Sequence, residues 1–266
     1  MPTAAQYWQK DVDNSSYKDL AWNFPEQKQG IIKIIGGNSS SFAAEVKTAE
    51  YINRTFPFVK SVENVFPDAL KAKFPPMDNL KFYESTDSGS FSNTPEFRRA
   101  LDNVDAGIIL GDLSKNSITA IAISDLIRVS DDIPLVLTRD TVDLVASTAN
   151  DFINRGKITF VASMASLQKL LRSLYYPRPI MLSQPIFPVV ETLHKFTISY
   201  PVSIMTFHEG KIICAYNGKV STIDIDKTRY TPLSLWSGEV AARLAVFAMF
   251  NTNRLLESML AAITYK

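Results

Sequence analysis

Cysteine is almost missing from this chain: the single residue, Cys214, excludes an intrachain disulfide framework and a thiolate metal cluster, and its apolar surroundings, Lys211–Ala215, read as a small buried hydrophobe. Histidine is scarce as well. His194 and His208 are too few for a multi-histidine centre and lack the H-E-x-x-H spacing, so no metal site is expected and packing or surface roles are read for both. No stretch approaches the roughly 18 uninterrupted apolar residues of a membrane span. The opening MPTAAQYWQKDVDNSSYKDL has no basic start leading into an apolar run, so no signal peptide is read. Excess charge of either sign is also lacking: 28 basic and 27 acidic residues leave a formal net charge of +1. That balance gives no general pull towards nucleic acid or an anionic membrane, and with the lone thiol it leads us to expect a reducing, cytoplasmic setting. The serine-hydrolase elbow G-x-S-x-G, the dinucleotide fingerprint G-x-G-x-x-G and the Walker loop are all absent.

What is present is an ordinary globular composition, 46% hydrophobic and 21% charged, over 266 residues. The length suits one large domain, 1–266, with residues 1–29 as an N-terminal extension packing on it. From residue 30 onward, short Ile- and Val-rich runs alternate with longer stretches at helical spacing, the signature of βα units on a parallel sheet. The strands that stand out are Ile31–Ile35, Ala106–Leu110, Leu135–Leu137 and Ile158–Ala162, each apolar on both faces as a strand between helix layers should be. Helices are expected over Ser41–Phe56, Thr94–Val104, Ser117–Val129, Thr141–Arg155, Ser166–Tyr175 and Val189–Tyr200, then after Ser237 and from Leu255. Between Val202 and Asp226 the pattern shortens, and His208-Glu209-Gly210 and Tyr216-Asn217-Gly218 signal antiparallel hairpins. The expected fold is α/β, a three-layer αβα sandwich on a mostly parallel sheet with antiparallel edge hairpins. Pro67–Pro95, with four of the fourteen prolines and the polar run Ser85–Ser90, reads mostly as loop.

Ligands of open parallel sheets bind beyond the C-terminal ends of the strands. The residues there are Gly36-Gly37-Asn38-Ser39-Ser40, Gly111-Asp112-Leu113-Ser114, Thr138-Arg139-Asp140, Ser163–Ser166 and Thr206-Phe207-His208. Asp140 could hold a hydroxyl, a ribose or a magnesium-bound water, or cap the helix that follows it; Arg139 could pair with that acid or with a ligand phosphate. Leu235-Trp236-Ser237-Gly238-Glu239-Val240 is the most informative segment, because a small-residue turn opening an apolar helix leaves backbone N–H groups and a positive dipole end facing outward. Glu239 could act there as a base; equally, Ser237 is a good N-cap and a first-turn Glu favours the dipole.

The order of these pieces, over roughly residues 20 to 260, resembles the ribokinase-like fold and within it the ADP-dependent NAD(P)H-hydrate dehydratase family. Ile34-Ile35-Gly36-Gly37-Asn38-Ser39 resembles that family's first glycine-serine turn, with Ala43-Ala44 in the helix behind it. Asp105-Ala106-Gly107-Ile108-Ile109-Leu110-Gly111 resembles its Asp-Ala-hydrophobic-Gly strand, here continued by Asp112-Leu113-Ser114-Lys115 in place of a proline-glycine-leucine-glycine loop. Thr138-Arg139-Asp140 keeps the second acid of an Asp-Ala-Asp strand end, and Ala162–Leu167 has lost a Thr-Pro-His-Pro-Gly-Glu turn. Leu235-Trp236-Ser237-Gly238-Glu239 stands at the Gly-Gly-[Ser/Thr]-Gly-Asp helix start, and Thr206 replaces a lysine.

The resemblance implies an enzyme that uses ADP or ATP with Mg to phosphorylate the hydroxyl of hydrated NADH or NADPH before elimination. Its small-molecule ligand would be a nucleotide. By carry-over Glu239 is the catalytic base; Thr206, Trp236, Ser237 and Gly238 bind the nucleotide; Gly37, Asn38, Ser39, Gly111, Asp112, Arg139 and Asp140 line the substrate side. The motif departures leave two other readings open: a non-catalytic relative that keeps the fold for binding or assembly, and a site repurposed for a planar anion by Trp236, Phe207 and Arg139. A homo-oligomer is also allowed for, since the apolar helix Val240–Phe250 suits a core or an interface equally.

Overall fold

A computed structural model describes residues 3–10, 17–130, 132–224 and 235–265. Residues 1, 2 and 11–16 of the expected N-terminal extension, and Ile225 and Asp226 at the end of the hairpin region, lie outside the described residues.

Among the described residues ten strands form one sheet: β1 (Trp8–Gln9), β2 (Gln29–Gly36), β3 (Val59–Pro67), β4 (Leu80–Tyr83), β5 (Ala106–Gly111), β6 (Leu135–Thr138), β7 (Ile158–Val161), β8 (Val202–His208), β9 (Lys211–Tyr216) and β10 (Lys219–Asp224). Their spatial order is β1-β10-β9-β8-β7-β6-β5-β2-β3-β4. All pairings from β8 through to β4 are parallel, while β9 runs antiparallel to both β8 and β10. The parallel sheet with an antiparallel edge is therefore as expected. Both hairpins close on the anticipated turns, where Glu209-Gly210 and Asn217-Gly218 all adopt positive φ, the backbone that matches the strands' right-handed twist.

Helices cover both faces. We label them α1 (Ala4–Tyr7), α2 (Ala43–Thr55), α3 (Pro95–Arg98), α4 (Ser117–Val129), α5 (Asp140–Val145), α6 (Met164–Ser173), α7 (Ile186–Ser199), α8 (Glu239–Phe250) and α9 (Leu255–Thr264). The two-residue period of the strands sorts their side chains between the layers. Ile32, Ile34, Ile108, Leu110 and Val136 pack with Ile52 of α2, Leu244 of α8 and Leu260 of α9. Ile35, Ile109, Leu135 and Leu137 pack with Ile123 of α4, Val142 of α5, Leu167 of α6 and Leu193 of α7. Covering both faces is what makes these strands apolar throughout. The N-terminal segment joins the same body: Tyr7 stacks on His194 at 3.8 Å, Trp8 Nε1 donates to Thr222 Oγ1 at 3.2 Å, and Leu20 is buried against Phe247 and Ala261.

Three expectations are corrected. Thr94–Val104 is not one helix but the short α3 followed by turns. Lys33 Nζ takes the carbonyls of Ala100 and Asp102, and Asn103 turns left-handed, so the i→i+4 ladder cannot continue. Thr141–Arg155 divides into α5 and a 3-10 segment, Ala146–Asp151, where Thr148 Oγ1 donates to the Val145 carbonyl and is itself 2.5 Å from Ser124 Oγ. The proline-rich Pro67–Pro95 stretch is structured: it holds a 3-10 turn, Asp68–Lys73, strand β4, and a clasp in which Ser85 bridges Phe91. Both histidines pack. His194 Nδ1 meets the Gly218 carbonyl, and His208, the last residue of β8, places Nε2 2.6 Å from the Gln184 carbonyl. Cys214 is buried in β9, which pushes its thiol pKa up.

Two turn glycines separate backbone strain from steric room. Gly210→Ala meets open space at φ +79°, so it costs only the left-handed penalty of about 1–2 kcal/mol. Gly218→Ala adds a contact of 2.8 Å with Ile198 Cγ1 at φ +72°, so urea unfolding should show it as the more destabilised of the two.

Candidate functional site

The chain leaves β2 towards β3 and β4 on one side and later returns to build β5 to β8 on the other, so strand order reverses between β2 and β5. That reversal opens a crevice at the strand C-termini. Gly36 and Gly111, the last residues of these two strands, are register partners just past a bulge that skips Leu110.

Around this pair most of the residues singled out from sequence come together. Gly37 (φ +87°) donates its N–H to the Gly111 carbonyl at 2.9 Å. Asn38 holds its own turn, accepting from Ser40 and Ser41 N–H, and donates Nδ2 to the Asp112 carbonyl at 2.6 Å. Ser39 N–H reaches the Gly89 carbonyl, fastening the polar clasp 85–91 to this turn. Asp140 takes Asp112 N–H at 2.9 Å and Leu113 N–H at 3.3 Å on its two carboxylate oxygens. It does not cap α5: the helix starts at Asp140 itself, and Arg139 in the cap position makes no side-chain cap bond. Arg139 pairs with Asp112 rather than with Asp140 or an open site, Nη2 lying 2.7 Å from Oδ1. Both partners of that ion pair have left-handed backbone, φ +54° and +56°. Such positions cost of order 1–3 kcal/mol each for non-glycine residues and concentrate at functional sites.

The C-terminal motif arrives from the other helix layer. Gly238, at φ +101°, is the N-cap residue of α8; it has no side-chain cap bond, so Ser237 is not the cap that its hydroxyl suggested. A Cβ on Gly238 would stand 2.2 Å from Thr48 Oγ1 and 3.4 Å from Leu110 Cδ1. That close fit sets the start of α8 against α2 at the end of β5. Glu239 opens the helix and is exposed, Ser237 is exposed, and Trp236 is half-buried against the α2/α8 core. Thr206 is not brought to this cluster. It lies on β8, three strands from β5 or roughly 14 Å at sheet spacing, buried with no partner for its hydroxyl. Among the described residues no ring contact joins Trp236 to Phe207, and Arg139 is held by Asp112.

One residue of the cluster escaped the sequence reading. Glu45, in the first turn of α2, is fully buried, and neither carboxyl oxygen has a hydrogen-bond partner. Burial raises its pKa to about 8, with its own backbone amide opposing, Asp112 and Asp140 adding to the rise, and Arg139 lowering it. Beside the loop after β5 lies a cavity of about 510 Å³ lined by Lys115, Asn116, Ser117, Asp143, Ser147 and Lys169. Among the described residues no group of three or more His, Cys, Asp or Glu side chains could hold a metal, and no helix is long and apolar enough to cross a membrane.

No protein-family model matches this chain. No curated protein matches it in sequence either. Solved structures do match in fold. A hypothetical protein from Streptococcus mutans has a TM-score of 0.63 at 12% identity, over 95% of this chain and 87% of that one. A ribokinase-like superfamily protein from Enterococcus faecalis has 0.59 at 14%, over 90% and 80%. An ADP/ATP-dependent NAD(P)H-hydrate dehydratase from Bacillus subtilis, co-crystallised with ATP and Mg2+, has 0.53 at 10%, over 95% and 81%. At such identities the likeness shows the fold, which is ribokinase-like.

Asp140→Asn is the sharpest probe of the strand-end geometry. An amide keeps one acceptor and turns its NH2 towards a backbone N–H that needs one. We expect a loss of about 1–3 kcal/mol in chemical denaturation, with the Asp112 and Leu113 amides exchanging faster by NMR.

Proposed function

We propose that this chain is a divergent nucleotide-dependent dehydratase of the NAD(P)H-hydrate type, working at the β2–β5 crevice. The observation that carries the reading is the seating of Gly238 on Thr48 and Leu110, which brings the N-terminus of α8 to the same strand ends as Asn38, Asp112, Arg139 and Asp140. A helix start there offers backbone amides and a positive dipole end to a phosphate. Glu239, exposed at the first position of α8, would take the proton of the substrate hydroxyl as it attacks the terminal phosphorus of ADP or ATP. The terminal P–O anhydride bond would break to release AMP or ADP, and the C–O bond of the phosphorylated oxygen would then break as the adjacent carbon gives up a proton, so that phosphate departs and the substrate has lost the elements of water. Phosphoryl transfer asks the protein mainly for positioning and charge stabilisation, and Asn38 and Asp140 contribute by fixing the Asp112 turn. With no ready-made metal cluster among the described residues, magnesium would enter on the nucleotide phosphates, its usual mode of binding.

A second reading, a non-catalytic relative that binds an anion or serves assembly, draws support from the commitment of the site's charges to one another. Arg139 is spent on Asp112, Asp140 on two backbone amides, and Thr206 lies apart. Calorimetric titration of ADP with magnesium, followed by turnover of hydrated NADH, decides between them. The dehydratase reading expects micromolar binding, and for Glu239→Gln retained binding with turnover down roughly 10²–10⁴-fold, the usual worth of a general base. Binding with no turnover in the wild type would leave the second reading. Neither heat nor thermal stabilisation at millimolar ADP would remove the nucleotide from both.

A further inference from the structure

The two glycines at the switch point are gripped by carboxyl groups from opposite helix layers. A Cβ on Gly36 would stand 2.3 Å from Glu45 Oε1 and 2.6 Å from the Gly111 carbonyl; a Cβ on Gly111 would stand 2.1 Å from Asp140 Oδ1. Glu45 comes from α2 and Asp140 from the start of α5, so only bare backbone separates the two acids. Their situations differ. Asp140 accepts from two backbone donors of the neighbouring turn, whereas Glu45 has only its own backbone amide nearby, no hydrogen bond of normal geometry and no exposure to water. A buried carboxylate with no more than its own amide and a cation committed elsewhere is strongly disfavoured, while a neutral carboxyl is tolerated.

Among the described residues the one cation that acts on Glu45, Arg139, is already paired to Asp112. Strands β2 and β3 face α2 with Ile32, Ile34, Val59 and Val62. Helix α8 carries Glu239, which is exposed, and Arg243, which donates to Tyr51 Oη on α2 at 3.2 Å. From the strand ends come Asp112, Asp140 and Arg139, with Arg139 paired to Asp112.

We propose that Glu45 is a positioning residue of the strand-end site: as the neutral acid it lets the Gly36-Gly37 and Gly111-Asp112 turns close on each other, and its ionisation loosens them and weakens anion binding in the crevice. It acts through the glycine pair, since it is buried beneath the surface a ligand would touch. Neutral Glu45 leaves Asp112, Asp140 and Arg139 with a net charge of −1. Its ionisation makes that −2 and places the new charge against the turn Gly37 and Asn38 build. The ligand half of this inference rests on the nucleotide reading; the turn half does not.

The sign follows from linkage. The unfolded chain releases the Glu45 proton near the ordinary 4.5 and the folded chain near 8. The wild type therefore loses stability relative to Glu45→Gln as pH rises from about 5 to about 8, and the gap stays level above that. A Glu45 that kept one protonation state over this range would give a gap independent of pH. Thermal unfolding of the full chain and of Glu45→Gln across pH 5 to 9.5 reads this, and a constant gap overturns the proposal. Amide exchange and ligand binding then read whether the Glu45 charge moves the turns.

In parallel, ADP with magnesium is titrated into both proteins at pH 7 and pH 9. The wild-type dissociation constant should rise about tenfold relative to that of Glu45→Gln, the effect of one added charge within the site. A pH-independent ratio overturns the coupling to ligand. If ADP binds neither protein, the nucleotide reading fails by itself, and exchange of the Gly37, Asp112 and Leu113 amides decides the rest. Faster exchange in the wild type than in Glu45→Gln at pH 9 but not at pH 7 supports a positioning role, and equal rates at both overturn it.

Discussion

The glycine pair at the ends of β2 and β5 is the constraint from which the site's geometry follows. Gly36 and Gly111 are register partners at the point where strand order reverses, and carboxyl oxygens occupy the space their side chains would need. A side chain on Gly36 would evict Glu45, and one on Gly111 would evict Asp140. Asp140 could then no longer hold the Asp112 and Leu113 amides, and Asp112 would lose the backbone posture that meets Arg139 and Asn38. Replacing two hydrogens by methyls would thus propagate through every polar group in the crevice.

The local backbone bears the cost of that arrangement. Asp112 and Arg139 both sit at positive φ, and their ion pair is half-buried. Withdrawing both charges from water offsets much of their attraction, so the pair's worth is directional: it holds two strained turns in a fixed relation. The strain is offset by the packing beneath, where Ile108, Ile109, Leu110 and Leu137 are entirely buried between helix layers. A rigid sheet with a tense rim is a common way to keep polar groups in place before a ligand arrives.

Legibility from sequence followed the physics of each segment. Strands β5, β6 and β7 announce themselves because burial on both faces makes them continuously apolar. β3 does not, since Lys60, Ser61 and Glu63 interrupt Val59–Pro67, and β4 is a four-residue edge strand inside a proline-rich stretch. Helix α4 was legible residue for residue through its apolar spacing, and Asn116 proves to cap it by accepting from Thr119 N–H. The stretch after α3 failed because a distant lysine, Lys33, takes its carbonyls, an interaction that local pattern cannot carry. In the site, the turn residues were legible from their place after strands, but their partners were not. Arg139 looked free to meet Asp140 or a phosphate and is instead bound to Asp112. Glu45 was hidden most completely, because a glutamate in a first helical turn reads as an exposed residue serving the dipole.

These contacts also change what the retained motif residues signify. Gly238 is required where it stands because Thr48 Oγ1 leaves no room for a Cβ and φ is +101°. Asp140 is required to hold the Asp112 turn, and Asn38 to hold its own and tie it to that turn. Each would persist in a protein that had lost all chemistry, so their presence weighs equally for an enzyme and for an inert relative. Glu239 is different. It is exposed at the first position of α8, beside the Gly238 turn that seats on Thr48 and Leu110, and among the described residues the helix dipole is the structural reason for an acid there. Aspartate would serve that dipole equally well. The seating of Gly238 would offer a phosphate site under either reading, and the proton transfer that separates them falls on the reach of one carboxylate, longer by a methylene than the aspartate of the resembling motif. A displacement of about 1 Å at a reacting centre is enough to cost a hundredfold in rate, so a catalytic Glu239 needs a crevice floor set back by a comparable distance. The Gly36–Gly111 pair does not supply that depth, because the carboxyl oxygens of Glu45 and Asp140 already fill the space its side chains would need, so the added reach of Glu239 has to be taken up on the substrate side of the crevice.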